Sequence, residues 1–180
     1  MALGRHVAGM VMCATALVGT SVGWVPSAQA HGGEAVVCAG RESIAFSPGL
    51  TLASRPTDVT ARAAYRCGGS GAPGQVLTAE GRLSAHSPES TCVTLNSGRA
   101  RETVRYGDGS ASEITYTRSS AGRVAGLTVV RMTGTVTEGR GKGSAADRTI
   151  ALLPHTLPTA CLTPEGLQQA AGRVQLEIHP

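Results

Sequence analysis

The chain has 180 residues, 16 Lys and Arg against 12 Asp and Glu, a formal net charge of +4 and only 3% aromatic residues. That length suits one domain with a modest core, and so few aromatic rings leave little from which to build the stacking platforms of sugar-binding modules and single-strand binders. A basic balance invites acidic-polymer partners, but the basic residues are scattered between acids and all but Lys142 are arginine, so no nucleic-acid partner is expected.

Residues 1–30 read as a secretory signal peptide. Arg5 and His6 give a short basic start, Val7 to Val22 is mainly apolar and small, and Ala28-Gln29-Ala30 is an A-x-A cleavage site. The apolar run is short and rich in Gly, Ala and Thr, so it is not read as a membrane span, and Cys13 within it leaves with the signal. The expectation is a freely secreted, extracellular chain without membrane insertion, folded as a single domain over residues 31–180. That part holds all 12 acids and all but one of the 16 basic residues.

Val36 to Phe46 contains a first strand ending at the Ser47-Pro48-Gly49 turn, and Val59 to Cys67 alternates most cleanly. Cys67 to Gly74 is a loop by composition, Val76 to Ala85 and Cys92 to Asn96 are further strands, and His86-Ser87-Pro88 separates them. From Arg99 to Arg118 two alternating arms fold back on Gly107-Asp108-Gly109, the residues a tight hairpin needs. Ala125 to Thr137 is a β-branched run, Arg148 to Leu153 a strand stopped by Pro154, and Val174, Leu176 and Ile178 a closing strand. Thr163-Pro164-Glu165 opens a short helix that Gly172 ends. About eight to ten short strands predict an all-β antiparallel β-sandwich of immunoglobulin-like topology, whose edge strands could recruit a partner by strand addition.

Cys38, Cys67, Cys92 and Cys161 form an even set in a secreted chain and read as two disulfides. Three connectivities are possible and spacing does not choose among them; the expected pairing is Cys38–Cys67 and Cys92–Cys161. Tyr65, Tyr106 and Tyr116 fall on alternating strand faces and read as core packing.

Catalytic patterns are weak. Gly68-Gly69-Ser70-Gly71 echoes a protease serine loop, but only His31 precedes Ser70 and position 72 is Ala, so G-x-S-x-G is absent. The acids are dispersed, most of them on polar strand faces or in turns, and none is expected to carry a raised pKa or to pair for glycoside hydrolysis. Asp108 lacks the spaced oxygen ligands of a calcium loop. One metal pattern stands out. Cleavage after Ala30 makes His31 the terminal residue, whose α-amine and imidazole, with His86 or His155, supply a nitrogen-rich site of the kind copper favours. This looks like the histidine brace of lytic polysaccharide monooxygenases.

Several stretches together resemble a large group of uncharacterised secreted proteins of actinobacteria. They are CAGRESIAFSPGLTL (Cys38 to Leu52), Tyr65-Arg66-Cys67, Thr91-Cys92, RYGDGSASEI (Arg105 to Ile114), TVVRMTGTVTEGR (Thr128 to Arg140) and ACLTPEGL (Ala160 to Leu167). The chain departs from the group at Tyr106, where Trp is frequent, and at Gly141, where an aromatic is common. The resemblance implies a secreted, disulfide-stapled β-sandwich and no activity. The reading is therefore a monomeric, non-enzymatic extracellular binding module without cofactor, its partner an extracellular protein or cell-envelope ligand. The alternative is a copper-binding protein or copper-dependent polysaccharide oxidase using His31, His86 and His155.

Overall fold

The structure is a computed structural model that describes residues 35–69, 75–96, 98–124, 127–152 and 157–180. The chain divides into two units, Met1–Ala30 and His31–Pro180, and every described residue belongs to the second. The expected signal peptide and His31 lie outside the described residues.

In chain order the elements are β1 (Val36–Leu50), β2 (Arg55–Gly69), β3 (Leu77–Ser90), β4 (Leu95–Asn96), β5 (Arg99–Tyr106) and β6 (Ala111–Val124). They continue with β7 (Leu127–Gly139), β8 (Ala145–Leu152), α1 (Leu157–Ala160) and β9 (Leu167–His179). The period of two persists over whole strands. In β2, Thr57, Val59, Ala61, Ala63, Tyr65 and Cys67 are buried, while Asp58, Thr60, Arg62, Ala64 and Arg66 are exposed.

Antiparallel neighbours run β1-β2-β3-β5-β6-β7-β8-β9, and β9 pairs back onto β1, from Val36 opposite Ile178 to Leu50 opposite Leu167. β4 is a two-residue addition at the end of β3. Eight strands thus close into a single up-and-down barrel. This corrects the immunoglobulin-like sandwich expected from the sequence. Alternation shows that one face of each strand is buried, and a sandwich and a barrel satisfy it equally. Only the β9–β1 and β2–β3 pairings decide between them, and those join residues the sequence pattern does not relate. Closure also removes the open sheet edges on which strand addition depends.

Several boundaries differ from expectation: β2 runs from Arg55 to Gly69, the strand expected over Cys92 to Asn96 is only Leu95–Asn96, and β8 begins at Ala145. β1 continues through Ser47-Pro48-Gly49 to Leu50, and β3 continues through His86-Ser87-Pro88 to Ser90. The helix expected from Thr163 to Gly172 is absent: Gly166 closes a turn on Thr163, and β9 begins at Leu167. Pairing on both flanks, with Gly172 opposite Glu42 and Leu152, satisfies this backbone better than one isolated helical turn could.

The lumen is packed by Ile44, Phe46, Val59, Leu83, Val104, Ile114, Met132, Val136, Ile150, Val174, Leu176 and Ile178. Small residues, among them Ala61, Ala63, Ala79, Ala100 and Ala146, alternate with large ones, as the interior of a narrow barrel requires. Tyr65, Tyr106 and Tyr116 are buried there. Two disulfides join Cys38 to Cys67 and Cys92 to Cys161. The first links register partners on β1 and β2, Cα atoms 3.9 Å apart; the second ties the loop after β3 to the segment after α1.

Candidate functional site

Three charged residues face into the lumen. Glu42 on β1, Glu102 on β5 and Arg148 on β8 occupy inward phases of their strands and are 4%, 1% and 1% exposed. The Arg148 guanidinium pairs with Glu42 Oε2, and its Nε lies 3.2 Å from Glu102 Oε2 and 3.3 Å from Tyr65 Oη. Tyr65 Oη donates to Glu102 Oε1 at 2.9 Å and Tyr116 Oη to Glu102 Oε2 at 2.6 Å. Gly81 makes room for this cluster, because a Cβ there would stand 2.6 Å from both Glu102 Oε1 and Tyr65 Cε2.

Electrostatics follow from burial. Loss of water raises the Glu42 carboxyl above its ordinary range despite the neighbouring Arg148, and the charge of Glu102 adds to the rise. Glu42 Oε1 has no hydrogen-bond partner among the described residues. Burial and Glu102 push both Tyr65 and Tyr116 well up. For Arg148, burial disfavours the cation, but Glu102, Tyr65, Glu42 and Tyr116 outweigh it and hold the guanidinium charged. The expectation that no acid carries a raised pKa is thereby corrected at Glu42. The signal was present in the sequence: Glu42 shares its phase with Cys38, Ile44 and Phe46, and Glu102 with Ala100 and Val104.

This cluster is enclosed. Among the described residues, a lumen void of about 60 Å³ is lined by Phe46, Val59, Leu83, Met132 and Ile150, with Arg148 also in its lining. Organic ligands occupy pockets of roughly 300–1,000 Å³, so the interior is a packed core with a polar clasp.

On the outside, closure gathers what the sequence scatters. The outward positions of β9, β1, β2, β3 and β5 carry Arg173, Arg41, Arg62, Arg66, Arg82, Arg99, Arg101 and Arg105. Acids on the same arc are Glu80, Glu89, Glu177 and Asp58, and Asp58 is held by His86 at 2.7 Å. On β6, β7 and β8 the outward charged residues include Glu113, Glu138, Asp147, Arg118 and Arg131, and both arginines stand opposite Ser or Thr in the register. Four pairs of like charges sit directly opposite each other: Arg41 with Arg173 across β1 and β9, Arg62 with Arg82 across β2 and β3, Glu113 with Glu138 across β6 and β7, and Asp147 with Glu177 across β8 and β9, the last bridged by His179. None of the four arginines forms an ion pair among the described residues. Directly opposed like charges destabilise a sheet.

Arg41, Arg173, Arg66 and Arg105 border a broad, shallow depression of about 1210 Å³, with Glu80 on its wall and Gly40, Tyr65 and Tyr106 at its base. The residue pattern of each strand gave no hint of this face, because arginines from five strands converge only once the register is known.

The residues weighed in the sequence fall elsewhere. His31 and His155 lie outside the described residues, as does Ser70. His86 is exposed on β3 and bonded to Asp58. Among the described residues no group of three or more His, Cys, Asp or Glu could hold a metal ion. Asp108 caps the β5–β6 turn: its Oδ1 accepts from Ser110 N at 2.9 Å and Ser110 Oγ at 2.6 Å, which holds its carboxyl below the usual range, and Arg140 lies 3.2 Å from Oδ2. Gly109 in that turn has φ of 86°, a conformation open to glycine. Comparisons with protein-family models, with curated proteins and with solved structures find no match.

Proposed function

We propose that the protein is a secreted, non-enzymatic binding module whose partner is anionic and is held on the arginine face of β9, β1, β2, β3 and β5. The observation that carries this is the pair of cross-strand arginine couples, Arg41–Arg173 and Arg62–Arg82, with no acid neutralising them among the described residues. A fold keeps such repulsion at a cost of a few tenths of a kcal/mol per pair, and an oxyanion seated between two guanidinium forks turns that repulsion into charge-assisted hydrogen bonds. Secretion fits the leader-like residues 1–30 and the two disulfides. The outward arginines and threonines also argue against a lipid-facing barrel, which presents an apolar band outward.

The test is binding of the purified protein to linear inorganic polyphosphate over a range of salt. The expected result is binding that weakens steeply with salt and is lost in the Arg41→Gln/Arg173→Gln/Arg62→Gln/Arg82→Gln variant, with the circular dichroism of the fold retained. Equal binding by the variant would overturn the reading.

A further inference from the structure

Resting on that reading, we infer that the ligand is an anionic polysaccharide bearing sulfate or phosphate esters, and that Glu80 reads its hydroxyl groups. Glu80 lies in the middle of the basic face. Across the sheet its neighbours are Ala64 on β2 and Arg105 on β5, and Ala64 is in turn opposite Arg41, which is opposite Arg173. The outward row therefore reads Arg173, Arg41, Ala64, Glu80, Arg105. Glu80 is exposed and forms no ion pair among the described residues.

A carboxylate in that place is unsuited to a polymer that carries charge at every unit, because it repels the anion passing over it. It suits a polymer that alternates anions with hydroxyl donors, since a carboxylate accepts hydrogen bonds and offers none. The methyl side chain of Ala64 leaves space beside it. Thr78 and Gln175 on the same depression supply further hydroxyl and amide groups.

The arginine couples favour a tetrahedral oxyanion. One guanidinium fork saturates the two oxygens of a carboxylate, whereas an ester sulfate or phosphate presents three terminal oxygens that two forks can share. From strand spacing and rise, the centres of the two couples are about 12 Å apart, a distance that linked sugar rings can span. Neutral sugars need an aromatic platform; ester anions do not, so the scarcity of aromatic residues is no obstacle. It does count against single-stranded nucleic acid, whose bases stack on rings, and the tyrosines behind this face are buried.

The experiment titrates dextran sulfate, dextran phosphate, linear polyphosphate and a single-stranded DNA oligonucleotide against the full chain, its Glu80→Ala variant and its Arg41→Gln/Arg173→Gln variant. The expected result is that Glu80→Ala weakens both dextran esters about fivefold, the worth of one or two hydrogen bonds, while tightening polyphosphate. The tighter of the two esters then identifies the anion. If Glu80→Ala tightens the dextran esters as much as polyphosphate, Glu80 is a repulsive charge and no reader of hydroxyls, and the inference fails while the anionic face stands. DNA bound as tightly as the dextran esters would replace the polysaccharide with a nucleic acid. If the arginine variant leaves all four ligands unaffected, the basic face itself is not the binding surface.

Discussion

Glu42 of β1 and Arg148 of β8 are ion-paired although β9 lies between their strands. The contact therefore reaches across the curvature of the wall, and with Glu102 and Tyr116 it ties β1, β5, β6 and β8 into one polar clasp. Four strands that do not all touch one another are held in a common arrangement by side chains.

The clasp should give stability an unusual pH dependence. Because burial raises the Glu42 pKa above its ordinary value of 4.5, the folded chain holds a proton there that the unfolded chain has already released. That contribution is present below about pH 4.5 and is lost as pH rises through the folded-state value. Urea denaturation of the wild type and Glu42→Gln across a pH series should show the wild type losing stability relative to the variant as pH rises. A difference that is flat, or that grows with pH, would contradict the assignment.

Arg148→Met should cost about 3–5 kcal/mol, since it strands two buried acids without a cation. Adding Glu42→Leu and Glu102→Leu should recover a large part of that loss, because an apolar trio of similar volume suits a barrel lumen. Denaturation midpoints of the single and triple variants check both halves. A triple variant less stable than the single one would show that the tyrosine hydroxyls depend on the clasp more than its charges do.

Gly81→Ala should destabilise by about 1–3 kcal/mol, the usual range for overpacking a filled core. Its Cβ would press on the Tyr65 ring, which cannot retreat from a packed interior. Gly122→Ala on β6 is the matched control, since nothing lies within 4 Å of a Cβ there. Thermal melts of the two should separate clearly.

Arg82→Glu should separate stability from binding. It converts the Arg62–Arg82 couple into an opposite-charge pair and should stabilise the fold by about 0.5 kcal/mol, while weakening polyanion binding about tenfold or more. A variant that is both more stable and an equally good binder would show that these arginines serve no ligand.

Much of the strand inventory was legible because alternation is a local property. The β5–β6 hairpin around Asp108 and the clean run through Tyr65 could be read directly from it. The barrel could not. Phe46 and Leu83 look the same to a period-two pattern whether the opposite wall is a second sheet or the same sheet returning. Pro48 and Pro88 look like strand ends in the sequence, yet the backbone of each strand continues past them. Thr163-Pro164-Glu165 has the residues of a helix start, but the turn at Gly166 and pairing on both sides of β9 prevailed. The clasp was half legible: Glu102 was already in phase with Ala100 and Val104, but charge suggested solvent where phase dictated burial. The arginine face needed the register, since Arg62 and Arg82 meet only through it.

The meander has one seam that differs from the rest. Every other long strand meets a neighbour close behind it in the chain, whereas one flank of β1 waits for β9, as Val36 must wait for Ile178. A chain emerging from the ribosome thus carries an unmet flank through most of its synthesis. A break or frameshift ahead of Leu167 would leave no smaller barrel, but a curled ribbon with two raw flanks, the shape on which further copies can stack.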